Sequence, residues 1–119
     1  MTVDAFWNAT RDHRLLLQWC TRGDHPVWYP RNVCPVHLTP DLDWRPAAGT
    51  GVVYAYTVDH RADPPLATAL VELDEGVRMM TNIVDCPWSS VRVGLPVRVA
   101  WQPMEDGRNL PQFTPREGT

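Results

Sequence analysis

Residues 67–84, ATALVELDEGVRMMTNIV, carry the clearest alternation of apolar and polar positions in the chain. Apolar side chains recur at every second position on both sides of Asp74-Glu75-Gly76, the period of a half-buried strand. With those three residues as the loop of a hairpin, Leu73 faces Val77, Val71 faces Met79, Ala69 faces Thr81 and Ala67 faces Ile83. That register lines one face with an almost wholly apolar row. Gly76 then falls where such a loop demands a positive φ. A two-residue loop would set Leu73 against Arg78 and Val71 against Met80, a less consistent face.

Weaker alternation flanks the hairpin. Residues 50–60 place Val52, Tyr54, Tyr56 and Val58 on one face of a strand, and residues 96–102 alternate through Val97, Val99 and Trp101. Residues 109–114 form a last strand. Arg61–Leu66 is a loop stiffened by Pro64 and Pro65, and residues 85–91 are long enough for one helical turn. Five strands, near 50–60, 67–73, 77–84, 96–102 and 109–114, with a helical insertion between the third and fourth, describe an OB-fold barrel. A five-stranded sandwich is the alternative that the strand count leaves open.

Ahead of the barrel, Asp4 caps a short helix that runs to about residue 14 and leads into a strand over 15–19. Its stripe carries Phe6 and Trp7, which must be buried either on this barrel or in another chain. The organisation expected is a mainly β chain: residues 1–46 form the helix and a ribbon-like segment, and 47–119 form the barrel with a disordered tail over 115–119.

Composition narrows the function. The chain has 119 residues and a net charge of −3, and all eleven basic residues are arginine. Nucleic-acid binders usually carry a basic excess, so that class is disfavoured, and the absence of lysine excludes a Schiff base. No apolar run approaches the roughly 20 residues of a membrane span. The N-terminal stretch has no signal-peptide pattern, and the three cysteines suit a reducing cytoplasm.

Residues 20–44 have little periodicity but carry candidate metal ligands. Cys34 and His37 have the gap of a metal knuckle, whereas Cys20 meets Gly23 where a second cysteine is due. His25, and less well Asp24, are the available substitutes. With the cysteine missing, the expectation is a degenerate ribbon without zinc, held by Trp19, Val27, Trp28, Tyr29 and Trp44. Elsewhere Cys86 and His60 stand apart in sequence from any base, nucleophile or oxyanion-stabilising set, so no catalytic residue is assigned.

In order along the chain stand FW in the helix, LLLQ.C, YPR..CP..H, DW, G.G.VYAYTV, ALVELDEGVR..TNIV and GLPVRV.W. This ordered set, spanning residues 6 to about 114, resembles the thiolase-associated OB-fold family known as domain of unknown function thirty-five, which carries a rubredoxin-like zinc ribbon. The chain departs from that family at Gly23 and His37, where ribbon cysteines are expected. The resemblance implies a non-catalytic accessory subunit of a thiolase-like, lipid-transfer-type aldolase, acting on acyl-CoA esters in steroid side-chain degradation, with an acyl-CoA hydratase as a further partner. A coenzyme A thioester is then the substrate of the complex. Arg31 and Arg61 are the candidates for its phosphates. Phe6, Trp7, Trp28 and Tyr29 are the candidate anchors for the partner subunit. Two other readings compete: an acyl-CoA-presenting subunit of a biosynthetic thiolase complex, and an OB domain for single-stranded nucleic acid, against which the acidic balance counts.

Overall fold

The apolar row of residues 67–84 folds in the register its alternation predicts. Strands β5 (Leu66–Leu73) and β6 (Arg78–Ile83), numbered by their place in the chain, pair antiparallel with Ala67 opposite Ile83, Ala69 opposite Thr81 and Val71 opposite Met79. Gly76 takes φ +98° in the loop, and the Leu73 N–H donates to Val77 O at 2.8 Å to close it. The structure, a computed structural model, describes residues 2–116.

Around this hairpin β4 (Thr50–Asp59), β7 (Pro96–Pro103) and β8 (Asn109–Pro115) complete a closed barrel in the order β4-β5-β6-β8-β7. All its pairings are antiparallel except β6 with β8, which meet in parallel at Ile83 and Phe113. A single 3-10 turn, Trp88–Ser90, lies between β6 and β7, so the architecture is the OB barrel and not the sandwich. Val53, Val71, Leu73, Val97 and Phe113 fill the centre and are almost wholly shielded from solvent. Closure brings β4 tightly over β5: a Cβ at Gly51 would lie 2.3 Å from the Glu72 carbonyl oxygen. The pairing of β4 with β5 shifts register between Val53 and Ala55. Val53 points inward, whereas Val52, Tyr54 and Tyr56 lie on the outer surface.

The N-terminal part adds helix α1 (Thr2–Thr10) and a small antiparallel sheet in the order β2-β1-β3, made of β1 (Leu16–Cys20), β2 (His25–Val27) and β3 (Leu42–Pro46). Phe6, Leu15 and Leu17 join the barrel's apolar core, so helix and first strand pack as one body with the barrel. The helix stops at Thr10, short of the expected residue 14, because Asn109 captures its end. Asn109 Nδ2 donates to Thr10 O at 2.8 Å, and the Asn109 N–H donates to Thr10 Oγ1 at 3.2 Å. The chain then turns through His13 (φ 57°), whose ring stacks on Trp101. At the far end Pro115 belongs to β8 and the Arg116 N–H donates to Pro96 O, so these two residues are ordered, against the expected disorder from 115. The rest of that expectation, residues 117–119, lies outside the described residues.

Candidate metal centre and aromatic groove

Two turns of the small sheet each bend around a sulfur. Cys20 ends β1, and the Gly23 N–H points back to its Sγ at 3.4 Å. Cys34 repeats the arrangement, its Sγ accepting the His37 N–H at 3.4 Å. Bonds from Leu38 N–H to Cys34 O (2.8 Å) and from Cys34 N–H to Thr39 O (2.9 Å) close the second knuckle. Cys20 pairs with His25 across β1 and β2, which delivers the His25 ring beside the first sulfur.

One donor atom from each of Cys20, His25, Cys34 and His37 lies within 4.8 Å of every other. His25 Nε2 is 3.3 Å from His37 Nδ1 and 3.5 Å from Cys34 Sγ, and His37 Nδ1 is 3.7 Å from each sulfur. Around a tetrahedral zinc with its usual bond lengths, two nitrogens stand about 3.3 Å apart, and a nitrogen and a sulfur about 3.6 Å. These four separations lie close to those edges. His25 Nδ1 lies 2.9 Å from Pro26 O, an N–H···O bond that leaves Nε2 bare and aimed at the cluster. The same Pro26 carbonyl is the main cause of a raised His25 pKa, against burial and with help from Cys34. Burial alone would raise the Cys34 thiol. The His37 N–H, the His37 ring, the Val36 N–H and Cys20 together outweigh it and bring Cys34 down to about 6, so the thiolate a metal needs forms readily.

Gly23 explains why its ribbon position has no cysteine. A Cβ there would stand 2.2 Å from His37 Cε1, 2.7 Å from His25 Cδ2 and 2.8 Å from His37 Nδ1. The two imidazoles occupy the room a side chain at 23 would need, so the missing cysteine and the two histidines form one ligand set. Asp24, the other substitute, is turned away: its Oδ1 accepts the Trp19 indole N–H at 2.9 Å and lies 3.7 Å from Arg45 Nη1. The metal-free ribbon inferred from the cysteine spacing set aside two histidines; two cysteines and two histidines in this arrangement are a donor set that could hold a structural zinc.

The segment between His25 and Cys34 also builds a groove. Trp28, Tyr29 and Pro30 face Phe6 and Trp7 of α1, Met79 and Met80 of β6, and Leu110 and Pro111 of β8 across about 270 Å³. Phe6 sits 5% exposed in the floor, with ring centres of Trp7 and Trp28 at 5.2 and 5.4 Å. Trp7 and Trp28 are half-buried, and Tyr29, 53% exposed, stands at the rim. The four aromatics singled out from the sequence therefore share one site with different roles, Phe6 being core as much as surface. Met80, Leu110 and Pro111 complete it unannounced. Of the adjacent pair on β6, Met79 is buried and Met80 exposed, and only the packing of α1 and the ribbon brings both to the groove.

The two arginines are not alike. Arg31 follows the groove segment, its backbone gripped by buried Gln18 through bonds of 2.6 and 2.8 Å while its side chain is exposed. Arg61 lies in the β4–β5 loop, where Nε is 3.2 Å from Asp59 Oδ1. Cys86 is half-buried, and burial, followed by the Asp85 charge, raises its thiol above the ordinary range. His60 meets the Trp88 ring edge-on at 4.8 Å.

Comparison with known proteins places this geometry. The family described as "ChsH2, C-terminal OB-fold domain" matches residues 44–102. Over 118 residues, 94% of this chain, the sequence is 37% identical to a "Probable enoyl-CoA hydratase alpha subunit" of Thermomonospora curvata. It is 30% identical over 122 residues, 84% of this chain, to the "3-oxo-4,17-pregnadiene-20-carboxyl-CoA hydratase alpha subunit" of Mycobacterium tuberculosis. The chain spans 37% of the length of each of these relatives. A solved structure, "Ltp2-ChsH2(DUF35) aldolase", superposes with a TM-score of 0.84 at 33% identity over 96% of this chain and 94% of that one. With a third of its residues shared over nearly the whole of that solved chain, the protein belongs to the DUF35 OB-fold family.

Proposed function

We propose that this chain is a non-catalytic accessory subunit that assembles with a thiolase-like, lipid-transfer-type aldolase and supports cleavage of a coenzyme A thioester in steroid side-chain degradation. The observation that carries the reading is its near full-length likeness to a chain of a solved "Ltp2-ChsH2(DUF35) aldolase". The aromatic groove supplies a surface suited to such a partner: a rigid floor in the barrel core and half-exposed Trp7, Trp28 and Tyr29, the residue types that dominate association energies. Arg31 beside that groove is the better placed of the two arginines for a CoA phosphate, since Arg61 is already engaged by Asp59. The hydratase names of the relatives favour an acyl-CoA hydratase as a second neighbour, which would hand a hydroxyacyl-CoA to the aldolase. The free cysteines suit the cytoplasm. Among the described residues no helix is long and apolar enough to cross a membrane.

Cys20, His25, Cys34 and His37 would hold a zinc ion in this reading. With four protein ligands it has no open position, and its contribution is a cross-link between β1, β2 and the second knuckle. The test of the function is co-expression with a thiolase-like aldolase subunit, followed by gel filtration and a retro-aldol assay on a hydroxyacyl-CoA. The expected result is a stable complex with turnover, and no turnover from this chain alone. Robust activity of the isolated chain, or failure to assemble with any thiolase-like subunit, refutes it.

A further inference from the structure

The groove has two walls of different origin. One is fixed by the barrel: Phe6 and Met79 are core residues, and α1 is tied to β8 through Thr10 and Asn109. The other is the stretch from Trp28 to Pro30, which carries neither helix nor strand and hangs between two ligands of the metal cluster, His25 before it and Cys34 after it. We infer that metal in the Cys20–His25–Cys34–His37 cluster holds this second wall in place, so that the docking surface forms only in the metal-loaded protein while the barrel folds without it. The inference rests on the groove being the partner surface proposed above.

A second observation gives the wall a reason to open. The Trp28 indole N–H is buried without a hydrogen-bond partner. An unpaired donor shielded from water favours any state that exposes it, so the closed wall needs an opposing tie. Among the described residues, the ties other than metal include the β2 pairing of His25, Pro26 and Val27 with β1, the Gln18 bonds to the Arg31 backbone, and the Trp28–Phe6 contact. The strand pairing holds the His25 end, whereas beyond it the segment is gripped at single points. The metal joins both its ends to β1 at once, shortening the free chain between anchors. Loss of the ion therefore frees the Cys34 end from β1, and turning the indole towards water draws the middle out. The barrel core contains none of the four ligands and keeps its packing.

The experiment compares hydrogen exchange of the zinc-loaded chain, the chain stripped by a chelator, and the stripped chain after zinc is restored. Amides of residues 25–40 should lose at least tenfold of their protection on stripping and regain it with zinc, while those of β5 and β6 stay unchanged. In parallel, affinity for the thiolase-like subunit should fall about thirtyfold or more, the loss expected when one aromatic anchor is withdrawn. Because the removal is reversible, no variant has to fold. A chain that takes up no zinc overturns the inference. So does one that takes it up and, when stripped, keeps both its exchange pattern and its affinity. If the loaded chain exchanges as expected but binds no thiolase-like subunit, the functional reading fails while the metal-held wall stands.

Discussion

Replacing Gly23 by alanine tests the ligand set with one methyl group. Its Cβ would stand 2.2 Å from His37 Cε1 and 2.7 Å from His25 Cδ2, where ordinary contact begins near 3.4 Å. The rings must give by more than about 1 Å at His37 and by a smaller amount at His25. Bond lengths in zinc sites tolerate only about 0.2 Å, so displacement on this scale detaches at least one ligand. Disturbing a partner of a ligand typically costs 10- to 100-fold in metal affinity, and displacing a ligand itself should cost more. Gly23→Ala is therefore expected to lower zinc affinity by more than about 100-fold, roughly 3 kcal/mol. Competition against a chromogenic chelator reads the affinity, and Val36→Ala, an exposed site in the second knuckle, serves as the control. Gly23→Cys should not repair the site as the ribbon pattern suggests, because its Cβ meets the same two rings. Wild-type zinc affinity in Gly23→Ala would show that the two imidazoles do not coordinate as described, and the ligand set would have to be abandoned.

Four further outcomes follow from the packing. Tyr29→Ala, at the exposed rim, should weaken association with the thiolase-like subunit without moving the melting temperature. Val71→Ala, fully buried in the barrel, should cost about 2 kcal/mol and lower the melting temperature by several degrees with association intact; co-elution and thermal unfolding together separate the two. Gly51→Ala should destabilise the chain by about 2 kcal/mol or more in a urea titration, because the clash at 2.3 Å is with the Glu72 backbone, which cannot step aside. Cys86 should react slowly with iodoacetamide at neutral pH and faster as alkalinity rises, its thiol being raised by burial and Asp85; rapid labelling at neutral pH would contradict that environment.

How much of this was legible in the sequence depends on how local each cause is. The β5–β6 register is readable because it is set by alternation and one glycine a few residues apart, and the structure repeats it pair by pair. The period of β4 is equally visible, but which face turns inward is not. Val52, Tyr54 and Tyr56 form an apolar row that lies outside, because barrel closure over Gly51 and the register shift after Val53 select the opposite side. Strand β2 carries no alternation, and that of β3, Leu42-Asp43-Trp44-Arg45, is too short to mark a strand by itself. They are short, proline-bearing, and exist because β1 lies between them. The end of α1 is likewise invisible, since the residue that stops it, Asn109, is almost a whole chain length away.

The metal centre shows the limit most sharply. Ligand spacing along the chain treats position 23 as a vacancy to be filled, and by that measure a glycine is a loss. Space treats it differently. The strand pairing of Cys20 with His25 already brings an imidazole to the first sulfur, and the second knuckle brings another from His37. Four donors then stand within 4.8 Å of one another, and a side chain at 23 would push against two of them. Gly23 is thus a condition of this ligand set, not evidence against one. The same strand pairing places Trp28 three residues beyond a ligand, so a substitution that looks confined to the ribbon reaches the groove by way of the loop it shares with the metal.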